Sequence, residues 1–208
     1  MSGTLTEEDY KKQCKDLVSL SDKIGDGWEL MQDRDDVYIV KTVKIPILFR
    51  EDDRSNLNPI SKTNQSQNST ESDNDDMSED HITLEDDPDT LIIASTSHLI
   101  TFEYHVTYSC SYTVPVLYFN AWHSTGKLLT ADEIWKLAPP CSDKYSYITQ
   151  IDHPILARPF YELHPCRTEQ MMGLVEGGDT YLVSWLSSVG REVGLSVDIR
   201  YCRTDSTS

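Results

Sequence analysis

The 208-residue sequence predicts an α+β fold: a leading helix, an antiparallel sheet, a long ordered loop and closing helices. Three patterns carry that expectation. Apolar residues open the chain at helical spacing, alternate strictly in its middle, and return to helical spacing near its end. The segregation of these patterns, rather than their interleaving, argues against a parallel α/β sheet.

Thr6-Glu7-Glu8-Asp9 has the form of a capping box. Tyr10, Cys14, Leu17, Val18 and Ile24 follow at helical spacing, and Gly25 and Gly27 end the helix. Residues 28–31 and 37–49 read as two strands joined by a polar turn. Pro46 cannot donate to a ladder, so the second strand ends there or lies at an edge. Next, Ile100, Phe102, Tyr104, Val106 and Tyr108 alternate with Thr101, Glu103, His105 and Thr107, the pattern of a half-buried strand. Residues 114–119 are continuously apolar, as expected for a strand covered on both faces.

A second capping box, Thr130-Ala131-Asp132-Glu133, opens a short helix through Leu137 that Pro139 and Pro140 end. Residues 139–166 show no period and hold Pro139, Pro140, Pro154, Pro159 and Pro165. They read as a long loop, packed by Tyr145, Tyr147, Ile151, Ile155, Phe160 and Tyr161. A helix from Arg167 carries Met171, Met172 and Val175 and breaks at Gly177-Gly178. Another, with Thr180 as N-cap, places Leu182, Trp185, Leu186 and Val189 on one face and stops at Gly190. Leu195, Val197 and Ile199 suggest a last short strand.

The formal net charge of −17 excludes a general nucleic-acid binder and docking on an anionic membrane. That charge is concentrated. Residues 51–90 hold 13 acids against Arg54 and Lys62, a local 2 − 13 = −11, which leaves −6 for the rest. The stretch is polar and nearly free of aromatics, so residues 54–89 are expected to be a disordered acidic insertion in a single domain spanning 1–208. The polar, acidic start lacks the apolar stretch of a signal peptide, and no window of 18 apolar residues exists. A cytoplasmic protein with reduced thiols is expected. The sequons at Asn64 and Asn68 then read as chance matches.

The six histidines form no H-x-x-x-H pair, and C-x-x-C, phosphate loops and G-x-S-x-G are absent. No metal or cofactor is expected. What remains is His164-Pro165-Cys166. This cysteine ends a proline-rich loop, precedes a predicted helix start and is followed by Arg167, placements that favour a thiolate. A small residue packing loop against helix fits the same placement. Cys14, on an apolar helix face, and Cys110, near a strand end, read as structural; Cys141 and Cys202 stay open.

The stretch Leu163-His164-Pro165-Cys166-Arg167 resembles the active-site motif of the autophagy conjugating enzymes, distant relatives of ubiquitin-conjugating enzymes. Residues 115–120, Asp152-His153-Pro154 and residues 181–186 match in order, so the resemblance covers roughly 100–201. It implies a ubiquitin-conjugating-type core: an antiparallel sheet flanked by helices. It also implies that Cys166 accepts a ubiquitin-like protein as a thioester from an activating enzyme (autophagy protein seven). The cargo is then autophagy protein twelve and the acceptor a lysine of autophagy protein five.

Within that resemblance His164 is the first candidate for orienting or polarising the site, the alternative being a turn residue bonded to backbone. Ubiquitin-conjugating enzymes carry an asparagine that supports the oxyanion. Here Ile155 follows His153-Pro154 instead, which leaves backbone N–H groups after Cys166, or Asn120, as donors. The strand pair within 28–49 is a candidate edge for pairing with a target. Competing readings are the sister enzyme that lipidates the autophagy protein eight family, a cysteine hydrolase of such conjugates using His123, His153 or His164 as base, and a non-catalytic acidic interaction module.

Overall fold

A computed structural model describes residues 3–47, 98–137, 148–174 and 178–202. The acidic insertion at 54–89, its sequons and Cys141 lie outside these residues. Helix α1 (Glu7–Ile24) starts where the capping box placed it: Thr6 Oγ1 accepts the Asp9 N–H at 3.1 Å. It stops at Gly25, whose φ of 69° suits glycine. Strands β1 (Trp28–Asp33) and β2 (Asp36–Ile47) form a hairpin, followed by β3 (His98–Ser109) and β4 (Val114–His123). Pro46 pairs with Leu99 of β3 in a part of β2 that β1 does not reach, so on that side no ladder bond is lost. β4 is buried from Val114 through Ala121, as its unbroken apolar run implied. In α2 (Ala131–Leu137) the capping box is reciprocal. Thr130 N donates to Glu133 Oε2 at 2.8 Å, and Glu133 N to Thr130 Oγ1 at 3.3 Å.

The expected loop over 139–166 is corrected in its second half. Strands β5 (Ile148–Asp152) and β6 (Pro159–Leu163) form an antiparallel hairpin there. The sheet is six-stranded and antiparallel throughout, ordered β1-β2-β3-β4-β6-β5. β1, from the expected edge hairpin, is one edge and β5 the other. β5 carries no alternating signal because as an edge strand it exposes most of its residues. β6 is held by neighbours on both sides, a tertiary cause that local pattern does not encode.

Inward residues of the sheet, among them Ile39, Phe102, Tyr104, Leu117 and Phe119, cluster with Tyr10 and Leu17 of α1 and with Trp185 and Leu186 of α4 (Tyr181–Val189). Cys14 is fully buried in this cluster, and desolvation pushes its thiol up to about 12, as befits a structural cysteine. Thr180 occupies the N-cap position of α4 but makes no side-chain cap bond. The cap comes from across the fold. Buried Gln13 accepts the Leu182 N–H at 2.8 Å through Oε1 and donates to Gly178 O at 2.9 Å.

The expected closing strand does not form. After Gly194, at φ 76°, Leu195 tucks into the core and Ile199–Cys202 is a 3-10 turn. Tyr201 of that turn donates to Asp26 Oδ2 at 2.8 Å. The other oxygen of Asp26 lies 2.6 Å from Lys41 Nζ, an inward-facing lysine that also stands 5.7 Å over the Trp28 ring.

Candidate active site

β6, paired between β4 and the edge strand β5, delivers the chain to His164 in extended geometry. Pro165 then opens a 3-10 turn (Pro165–Arg167), its fixed φ suited to a first helical position. The helix expected from Arg167 is only the single turn of α3 (Thr168–Met172). Cys166 projects from the 3-10 turn and is exposed, so the packing role that its sequence position allowed does not apply. Cys110, expected to be structural, is also exposed, as is Cys202.

His164 Nδ1 accepts the Cys166 N–H at 3.1 Å. With its Nδ1 lone pair so engaged, the neutral ring carries its proton on Nε2. The imidazole thus caps the turn that bears the thiol, the backbone-bonded reading of this residue. Tyr112, from the turn between β3 and β4, sets its ring edge-on to His164 at 5.9 Å between centroids. Glu162, in the last residues of β6, lies two residues before His164 and is only 9% exposed. Burial pushes its carboxyl above the ordinary carboxylate range, while His164 pulls the other way. Neither Tyr112 nor Glu162 was singled out from sequence. Recognising β6 as a strand would have paired Glu162 with His164 by its two-residue period.

Other expected contributors fall elsewhere. Asn120 donates from Nδ2 to Pro159 O at 3.0 Å, tying β4 to the start of β6, the end away from Cys166. The backbone donors expected to hold an oxyanion are partly engaged. The Cys166 N–H is held by His164, and the Thr168 N–H bonds Pro165 O. His123 pairs with Glu133 Oε1 at 3.5 Å. His153 is buried beside His105. Of the three histidines considered as a hydrolase base, only His164 adjoins the thiol, and its Nδ1 faces backbone. Among the described residues no three His, Cys, Asp or Glu side chains converge as a metal site, and no helix is long and apolar enough to cross a membrane.

His153 belongs to a buried chain whose proton positions its partners determine. Its Nδ1 accepts from the Ile155 and Leu156 N–H groups at 3.3 and 3.2 Å. Its Nε2–H therefore donates to His105 Nδ1 at 3.2 Å, and His105 Nε2–H to Glu103 Oε1 at 2.8 Å. Tyr38, Tyr118 and Phe160 wall the pair, and Arg158 reaches Glu103 Oε1 at 3.3 Å. Burial, reinforced by His105 and Arg158, pushes His153 down from 6.5 to about 4. Between those values the unfolded chain binds the extra proton. Stability is therefore lost as pH falls from 6.5 towards 4, by on the order of 2–3 kcal/mol. Urea unfolding across that window should show this slope, and His153→Gln should flatten it. Superimposable pH profiles for the two proteins would contradict the assignment.

Residues 9–199 match the family described as autophagocytosis associated protein, active-site domain. The chain is 34% identical to the human ubiquitin-like-conjugating enzyme ATG10 over 96% of its own length and 93% of that protein's. It is 41% identical to the Arabidopsis thaliana ubiquitin-like-conjugating enzyme ATG10 over 47% of this chain and 51% of that one. A solved structure titled "Crystal structure of Autophagic E2, Atg10" superposes with a TM-score of 0.50, covering 92% of this chain and 98% of that one. At 17% identity that likeness speaks for the fold alone. A ubiquitin-conjugating-type antiparallel sheet, an exposed cysteine in a His-Pro-Cys turn and sequence identity over nearly the whole length converge: the chain belongs to the autophagocytosis-associated active-site family and is a ubiquitin-like-conjugating enzyme of autophagy.

Proposed function

We propose that Cys166 is the acyl carrier and that His164 positions it. The observation that carries this is the exposed sulfur in a turn whose geometry His164 fixes through the Cys166 N–H. In the first step Cys166 Sγ attacks the thioester between an activating enzyme and the C-terminal glycine of a ubiquitin-like protein. A new S–C bond forms, the old one breaks, and the activating enzyme's sulfur leaves as thiolate. Exchange between two thiols is close to balanced and splits one hard acylation into two easier ones. In the second step a target lysine, having lost a proton from a pKa of about 10.4, attacks the carbonyl. The C–N bond forms, the C–S bond breaks, the nitrogen sheds its remaining extra proton and Cys166 is regenerated.

The cargo we assign is autophagy protein twelve, the acceptor a lysine of autophagy protein five, and the donor autophagy protein seven, acting in the cytoplasm. Support comes from the motif and its flanks and from the match to the human enzyme across the chain. The Cys166 and Thr168 N–H groups, bonded within the turn, become oxyanion donors only if the turn shifts when the partners dock. Mixing the protein with activating enzyme, ATP and each autophagy ubiquitin-like protein in separate reactions tests the assignment. A reductant-sensitive adduct should form with protein twelve. An adduct formed only with the protein eight family would assign the lipidating reaction instead. His164→Ala, which removes the cap, should slow transfer about tenfold, and His164→Asn, which retains a short capping side chain, should recover part of the rate. Equal rates for the three proteins would remove His164 from the mechanism.

A further inference from the structure

Residues 3–5, ahead of α1, lie against both flanks of the Cys166 turn. Gly3 is buried on α3, the helix that begins two residues after the cysteine. A Cβ at Gly3 would overlap Glu169 O and stand 2.7 Å from Gly173 N, so no side chain fits without moving helix backbone. Gly3 O also accepts the buried Tyr181 hydroxyl of α4 at 2.6 Å. Two residues on, Leu5 N donates to Thr113 O at 2.9 Å, and Leu5 O accepts the Tyr108 hydroxyl at 2.7 Å. Thr113 adjoins Tyr112, whose ring abuts His164.

We infer that residues 3–5 are a positioning strap for the active site, bracing the helix after Cys166 against the turn that presents Tyr112 to His164. The inference rests on the assignment of Cys166 as acyl carrier. Its physical basis is the size of α3. Five residues cannot sustain a helix in isolation, so the orientation of α3 is inherited from what it packs against. Gly3 supplies a backbone-to-backbone contact that only a hydrogen side chain permits. Leu5 closes the other end through both of its main-chain groups, its N–H donating to Thr113 O and its carbonyl accepting the Tyr108 hydroxyl. Displacement of α3 would move Cys166, because only Arg167 separates them.

The test compares Gly3→Ala, Tyr108→Phe/Tyr181→Phe and the unmodified protein, well below their melting temperatures and with folding checked by near-ultraviolet circular dichroism. The paired phenylalanines release both carbonyls of the strap while keeping the aromatic volume. Two quantities are read: the single-turnover discharge rate at saturating target, and the pH profile of iodoacetamide labelling at Cys166, resolved by peptide mass spectrometry. Gly3→Ala should slow discharge about tenfold with an unchanged KM for target and a shifted labelling profile. The paired variant should slow it about threefold. A folded Gly3→Ala protein with normal discharge and labelling would overturn the strap. If Gly3→Ala does not fold, a normal discharge rate in the paired variant overturns it equally. Absence of any thioester on the unmodified protein would instead sink the Cys166 assignment, since losing the strap slows discharge without preventing charging.

Discussion

Cys166→Ser is expected to lower transfer to the lysine by at least about a thousandfold, the scale on which loss of a covalent nucleophile is felt. The reasoning is chemical. A hydroxyl at neutral pH has almost no anionic fraction, whereas a thiol has a usable one and is intrinsically more nucleophilic. Any adduct that the serine protein forms is an oxyester, a worse acyl donor than a thioester, and it should survive reductant. Cys166→Ala should give no adduct. Cys166 is exposed and lies outside the buried core cluster, so neither substitution should shift the unfolding midpoint appreciably. Single-turnover transfer followed on gels with and without reductant measures all of this. Normal ligation by the alanine protein would end the assignment of the thioester to Cys166, and it would bring the exposed Cys110 and Cys202 into consideration as carriers.

The largest stability effect should come from the corner where α1 meets β1. Lys41 and Asp26 retain 8% and 16% of their side-chain exposure and lie 2.6 Å apart, with Tyr201 donating to the second carboxylate oxygen. Lys41→Ala strips the cation and leaves Asp26 poorly solvated, at a cost of about 3 kcal/mol. For a chain of this size that lowers the melting temperature by on the order of 10 °C. The final 3-10 turn, held to this corner through Tyr201, should loosen as well. Replacing both charges together, as Lys41→Met/Asp26→Leu, should recover most of the loss, because burying the pair was itself costly. Thermal melts of the three proteins decide it. A Lys41→Ala protein within about 0.5 kcal/mol of the parent would show the pair to be an ordinary surface interaction.

The fold was legible wherever a segment answers to local rules. Thr6 and Thr130 mark helix starts because a capping oxygen needs only the next three residues. β3 alternates because one face is largely covered, and β4 runs apolar from Val114 to Phe119 because both faces there are buried. The failures share a cause. β6 is a strand because β4 is there to pair with, and β5 because β6 is. Residues 195–199 are not a strand, and among the described residues no strand pairs with them. Lys41 interrupts the inward series of Ile39, Val43 and Ile45 for the sake of Asp26, a partner in the corner between α1 and β1.

At the site, amino-acid order alone singled out the sulfur at 166, its proline and the histidine before it, since the motif is contiguous and its matching flanks follow in order along the chain. Only the folded chain decided that this sulfur faces solvent, that His164 spends its Nδ1 on backbone, and that Asn120 and His153 serve the far end of β6. It also brought Gln13 to Leu182 and Leu5 to Tyr108, residues 169 and 103 positions apart. The division has a physical reason. Capping, spacing and motif are settled within a few residues of backbone, whereas exposure and long-range hydrogen bonds exist only once distant segments have paid their chain entropy and met.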